Sequence, residues 1–303
     1  MNLPTMLRPL TLLSLLVFSC TAPKKGSTIQ DLKSSVEEIF NSTQGDFAIA
    51  FLDLSDSSNQ LMINEEEDFH AASTMKTPVM IELYKQSAQG LFDLQDSILI
   101  KNEFKSIVDG STYSMDIGED SQEGLYNQIG DSITIYNLMY EMITLSSNLA
   151  TNILIDLVDA KKVTATMRAL GANKIEVLRG VEDQKAYDQG LSNSTTAKDL
   201  MIILKAIAGE KAVAKQEDHA AMIDILKDQK WNDMIPLLLP SEVKVAHKTG
   251  SITGVHHDSA IVYLPDGRSY VLVLLSKNLG DFDEGTAELA KVSKLVYDFM
   301  VSK

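Results

Sequence analysis

Apolar positions along this chain change their period twice. Ile29, Leu32, Val36 and Phe40 recur at helical spacing behind Ser27 or Thr28 as a cap, which predicts an amphipathic first helix. The run FAIAFLDL at 47–54 is apolar throughout and reads as a buried strand; a polar turn at 55–59 and a short antiparallel return at 61–63 follow it. From 70 to about 209 the apolar residues fall on helical periods. Helices are predicted at 73–88, 134–144, 148–159, 161–170 (ended by Gly171) and 195–208, the last capped by Ser194 or Thr195. The stretch 101–130 is polar, contains glycines and shows little periodicity. Beyond it the pattern returns to strands: 243–248 alternates, 259–264 and 270–275 are β-rich, and Pro265-Asp266-Gly267-Arg268 is a tight turn between them. A final helix over 284–301 carries Leu289, Val292, Leu295, Val296 and Phe299 on one face. Strands at both ends and helices between them predict an α/β (α+β) fold. Its antiparallel sheet is built from 28–69 plus 210–303 and flanked by helices, and an all-helical domain is inserted at 70–209.

Composition narrows the function. With 303 residues and 45% hydrophobic, the chain can bury a large core. Its net charge of -15 argues against nucleic acid as a partner, because phosphate binding needs basic surface. Arg8 followed by the apolar run 10–18 reads as a targeting segment too short for a permanent membrane span. That run leads into Val17-Phe18-Ser19-Cys20, similar to a bacterial lipoprotein signal cleaved before the cysteine that is then lipidated. The expected organisation is a signal peptide over 1–20, a tether over 21–27 and an exported chain, periplasmic or anchored by lipid at the outer membrane. Cys20 is the only cysteine, so no internal disulfide can form. Nothing in the sequence demands more than a monomer.

Three strings carry chemistry: Ser73-Thr74-Met75-Lys76, Ser146-Ser147-Asn148 and Lys248-Thr249-Gly250. Ser73 and Lys76 are three residues apart on a predicted helix and share a side. A serine hydroxyl needs a base, and a lysine serves only if burial or a neighbouring cation lowers its proton affinity; Lys248 is a candidate neighbour. The helix start at Ser73 offers free N–H groups to a developing oxyanion. Ser146 is placed to relay a proton and Asn148 to hold a substrate amide. Lys248 and Thr249 suit a carboxylate, and Gly250 suits a substrate laid along a strand.

The ordered strings resemble the signature of class A β-lactamases and penicillin-binding proteins. The resemblance to class A enzymes covers roughly 27–303 and includes Ala150, Asn152 and Leu154 after the second string and the threonine-rich segment from Ser194. It implies a β-lactamase/transpeptidase-like fold, no cofactor, and an acyl-enzyme on Ser73 activated by Lys76. Ser146 and Lys248 would move protons, Thr249 would bind the substrate carboxylate, and the N–H groups of Ser73 and Ser251 would form the oxyanion hole. Glu182, 36 positions after Ser146, is the expected water-activating base, with Asp183 and Glu176 as competitors and Arg179 bracing the loop. Departures are Ser147 where the family usually carries aspartate, Ala186 where an asparagine normally helps hold the hydrolytic water, and His256 or His257 in place of an arginine at the carboxylate. His257 is the expected substitute there. His247, His256, His257 and Asp258 lack the spacing of a zinc site, so no metal is expected.

The resulting expectation is an exported serine β-lactamase. The alternative is a penicillin-binding-type peptidase or esterase that acts on cell-wall peptides and releases β-lactams slowly. A lipoprotein that merely binds cell-wall fragments would not need an activated serine.

Overall fold

The computed structural model describes residues 28–303. The targeting run, Cys20 and the 21–27 tether lie outside the described residues. Helix α1 (Ile29–Ser42) starts from Thr28, whose side chain accepts from the Asp31 N–H while the Asp31 carboxylate accepts from the Thr28 N–H. Strand β1 (Asp46–Asp53) pairs antiparallel with β2 (Gln60–Ile63) on one side. Three C-terminal strands complete the sheet: β3 (Lys244–Ile252), β4 (Val255–Tyr263) and β5 (Ser269–Lys277). Their order is β2-β1-β5-β4-β3, so the two ends of the chain meet at the β1–β5 pair and β3 is an edge.

The sheet is covered on both faces. Ile49, Phe51, Leu272 and Leu274 pack with Leu32 and Val36 of α1 and with Val292 and Val296 of the last helix. Ala48, Ala50, Val271 and Val273 face a second core shared with the helices in the middle of the chain. This explains why β3 does not keep the alternation expected of it: Ala246 to Gly250 are buried consecutively, as in any strand covered on both sides.

The helices between are α2 (Lys76–Ala88), α3 (Ile135–Thr144), α4 (Asn148–Val158), α5 (Ala160–Ala169), the single turn α6 (Gln184–Asp188), α7 (Ala197–Ala208) and α8 (Gln216–Lys227), with α9 (Phe282–Val301) last. Among the boundaries that differ from expectation, two concern how a helix starts. Thr196, not Ser194 or Thr195, caps α7 through the Asp199 N–H. Ser73 precedes its helix and sits in a 3₁₀ turn (Ala72–Met75) that passes into α2 at Lys76. Helix α8 was not predicted; its buried side chains His219, Met222, Ile225 and Leu226 include a polar one that breaks the apolar stripe. The weakly periodic stretch folds as short ladders and 3₁₀ turns, including Ile117–Glu119 and Glu123–Gln128.

Candidate active site

The three strings converge on one cavity of about 880 Å³, lined by Ser73, Ser146, Asn148, Glu182, Thr249, Gly250 and Ser251 among others. Ser73 is half-buried there. Its turn begins at Ala72, which has a φ of 45° and whose N–H donates to His70 Nδ1 at 3.0 Å. That bond makes Nδ1 the acceptor and fixes the ring that leads into the turn.

Lys76 is fully buried in the floor. Its Nζ donates to the Ser146 carbonyl at 2.6 Å, to Asn148 Oδ1 at 2.9 Å and to Ser146 Oγ at 3.3 Å. Burial lowers its proton affinity, and the carboxylates of Asp120 and Glu182 pull part of it back, leaving a pKa of about 7. Lys248 is equally buried and reaches the same hydroxyl from β3, Nζ to Ser146 Oγ 3.0 Å, with a second bond to the Thr249 carbonyl. Burial and the charge of Lys76 hold Lys248 well below its usual range. Two amines thus share one hydroxyl. Burial is what makes Lys76 a base near neutrality, and its charge in turn disfavours one on Lys248.

Ser146 occupies the tight turn between α3 and α4 at a φ of 62°, held by the bond from Lys76 to its carbonyl. Ser147 caps α4, its Oγ accepting from the Ala150 N–H at 3.2 Å, so the aspartate missing from this position is not missed as a cap.

Glu182 meets this network from the loop before α6. Asn148 Nδ2 donates to Glu182 Oε1 at 3.0 Å, and the Asp116 N–H donates to Oε2 at 3.1 Å. Half-burial raises its proton affinity against these bonds. The two competitors are spent elsewhere. Asp183 is buried, accepting from Ser106 Oγ and the N–H groups of Ile107 and Ala186. Glu176 lies outside the cavity, 50% exposed beside Arg168. Asn152 of α4 clamps the loop by accepting from the Val181 N–H at 2.6 Å and donating to the Val181 carbonyl at 3.0 Å. Arg179 braces it through the carbonyls of Leu191 and Gly180. Ala186 is fully buried and brings no polar group to the cavity.

Strand β3 passes against the nucleophile turn. A Cβ on Gly250 would lie 2.8 Å from the Ser73 nitrogen and 2.9 Å from that of Thr74, so glycine is required here for the close approach of two backbones. The expectation that His257 meets substrate is corrected. It is fully buried, its Nε2 donates to the His70 carbonyl at 2.9 Å, and its Nδ1 accepts from the Ser276 N–H. Both ring nitrogens are occupied by backbone, and burial holds the ring neutral with a pKa of about 4. His256 lines the cavity instead, stacked on Phe282 with ring centroids 4.6 Å apart. His247 is bound to Asp258 and Asn232, so the histidines and Asp258 do not converge on a common point.

Three contributors were missed: Asp120, Asn152 as a clamp, and Trp231. Trp231 lines the cavity, and its indole N–H reaches the Leu145 carbonyl at 3.4 Å. Asp120 lies in the least readable stretch of the chain. The one available signal was the second string itself, a helix start deprived of its usual carboxylate.

The model of the β-lactamase enzyme family matches residues 31–300. A β-lactamase of Bacteroides uniformis is 24% identical over 94% of this chain and 97% of its own length. β-Lactamase PSE-4 of Pseudomonas aeruginosa is 23% identical over 95% and 98%. In fold, a β-lactamase from Chitinophaga pinensis superposes with a TM-score of 0.76 at 21% identity, covering 88% of this chain and 98% of that one. The structure of PBP-A superposes at 0.77 and 21% identity, covering 93% and 100%.

Proposed function

This chain belongs to the β-lactamase enzyme family, and we propose that it is a serine β-lactamase of the class A type that works through an acyl-enzyme on Ser73 released by water that Glu182 activates. Neutral Lys76 accepts the Ser73 proton as Oγ attacks the lactam carbonyl. The N–H groups of Ser73 and Ser251 hold the oxyanion. The proton passes by way of Ser146 and Lys248 to the lactam nitrogen as the C–N bond breaks. Water then attacks the ester, Glu182 takes its proton, Ser73 regains one, and the ring-opened acid leaves. Thr249, Ser251 and His256 bind the substrate carboxylate.

One observation carries this reading: the continuous chain from Lys76 Nζ through Asn148 to Glu182, with links of 2.9 and 3.0 Å. It joins the acylating lysine to a loop carboxylate, which slow-releasing penicillin-binding proteins do not need. The apolar Ala186 favours the second reading, a cell-wall peptidase or esterase that releases β-lactams slowly. A time course of intact mass with benzylpenicillin separates them. An adduct that forms and clears supports the β-lactamase; one that persists in the unaltered chain supports the peptidase.

We also propose export and anchoring by lipid on Cys20, supported by the apolar run that precedes it, and a monomeric enzyme. Palmitate labelling of the full chain that survives Cys20→Ser would refute the anchor.

A further inference from the structure

We propose that Asp120 is a positioning residue that supplies, from a neighbouring loop, the carboxylate absent at Ser147, and so holds the Ser146–Asn148 turn in its working geometry. Asp120 follows the 3₁₀ turn Ile117–Glu119 and is buried. Its Oδ1 accepts from the Asn148 N–H at 3.0 Å and its Oδ2 from the Leu149 N–H at 2.8 Å, the first two N–H groups of α4. Oδ2 also accepts from Tyr126 Oη at 3.1 Å and Ser147 Oγ at 3.4 Å, and Oδ1 from the Gln122 N–H at 3.1 Å. Ser147 Oγ takes the third N–H, that of Ala150. The helix start is therefore satisfied by two side chains from different segments.

This arrangement reaches the chemistry because Asn148 is shared. Its backbone N–H is held by Asp120, its Oδ1 accepts from Lys76, and its Nδ2 donates to Glu182. Rotation of the α4 start would separate both links at once. Asp120 is also a counter-charge. Of the two carboxylates that raise the proton affinity of Lys76 it has the larger effect, and it pushes up Glu182, Glu141 and Tyr126 as well. Lys248 and Glu119 complete the charged groups around this corner. The carboxylate acts on Lys76 through space and on Asn148 through a hydrogen bond, and it does not line the cavity.

The inference rests on the acyl-enzyme reading, and the test separates the two. Acylation of the full chain by benzylpenicillin is measured against pH for the wild type, for Asp120→Asn, and for Asp120→Asn combined with Ser147→Asp; thermal midpoints are measured without substrate. The single variant should lose roughly ten- to a hundredfold in acylation rate as Asn148 shifts. Its acid limb should move down by roughly half to one pH unit, because Lys76 loses a charge that favours its ammonium form. Moving the carboxylate to position 147 should recover both, together with the thermal midpoint. A single variant with the wild-type acid limb, or a double variant no better than the single, overturns the inference. If the single variant does not fold, a folded and active double variant supports it and an unfolded one overturns it. A wild type that penicillin never acylates refutes the proposed function instead, and recovery of the thermal midpoint by the double variant still decides the role of Asp120.

Discussion

Replacing Gly250 with alanine should cost more in rate than in stability. The added Cβ would meet the Ser73 nitrogen at 2.8 Å, the Thr74 nitrogen at 2.9 Å and the Ala72 Cβ at 3.2 Å. The first two are backbone atoms of the turn that carries the nucleophile, so no side chain can swing aside. Relief requires β3 and that turn to part by several tenths of an ångström, an overpacking cost of about 1–3 kcal/mol. For a chain of this size that is a fall of roughly 2–5 °C in thermal midpoint. The same movement displaces the Ser73 N–H, the proposed oxyanion donor, and losing one such donor costs about a hundred- to a thousandfold in rate. Gly254→Ala is the control. Its φ of +71° strains an alanine, but the nearest atom is the Leu279 nitrogen at 4.0 Å, away from the nucleophile. That variant should lose about 1–2 kcal/mol of stability and keep its acylation rate. Stopped-flow hydrolysis of a chromogenic cephalosporin and thermal melts measure both. If Gly250→Ala acylates at the wild-type rate, the close approach of β3 does not govern the oxyanion site and the reasoning fails.

Other expectations follow from the same geometry. Glu182→Gln should accumulate the acyl-enzyme in intact mass spectra, with release slowed about a hundred- to ten-thousandfold and capture slowed less; turnover equal to wild type would remove Glu182 from the role. Lys76 must be neutral to act and has a pKa of about 7, so the acylation rate constant should fall as pH drops through that value; a flat profile there would refute a lysine base. His257 has a pKa of about 4 against an ordinary 6.5, so the unfolded chain binds the extra proton. Stability from this group is full above the unfolded value and is lost as pH falls towards 4, roughly 3 kcal/mol in all. His257→Gln should flatten that part of the stability–pH curve, and an unchanged slope would refute the assignment. His256→Ala should raise KM for carboxylate-bearing penicillins and also lower the thermal midpoint, because the ring is buried against Phe282 and bonded to Thr286, whereas an unchanged KM would take His256 out of the substrate site.

The architecture was readable because its elements announce themselves by period. Apolar runs at both ends gave the sheet, and the helical stripes between them gave the middle of the chain. The motif residues were readable because their spacing is chemical: Lys76 and Lys248 meet around the Ser146 hydroxyl, and Ser73 lines the same cavity as Ser146. What stayed hidden was orientation. His256 and His257 are adjacent on β4, so they point to opposite faces, and pattern alone could not say which face meets the cavity on a strand buried on both sides. Asp120 stayed hidden for a different reason. A carboxylate that caps a helix from another segment leaves no periodic trace, and its loop is built of 3₁₀ turns fixed by side-chain bonds.

The corners of the site share one physical device that explains why these hidden residues matter. Ala72, Ser146 and Glu182 all have positive φ, at 45°, 62° and 61°, although none is a glycine. Each such conformation costs an L-residue about 1–2 kcal/mol and survives only where its surroundings over-determine it. Each is in fact pinned by a polar clamp at its own or the adjoining backbone: His70 accepts the Ala72 N–H, Lys76 donates to the Ser146 carbonyl, and Asn152 holds both polar groups of Val181 next to Glu182. The proposed nucleophile, proton relay and water-activating base are thus each presented from or beside a strained backbone that a neighbouring side chain holds. Lys76 alone serves both purposes, since the bond that fixes Ser146 also helps bury the amine that burial makes a base. Weakening any clamp would let its residue relax towards ordinary backbone angles and carry the reacting side chain away from the others.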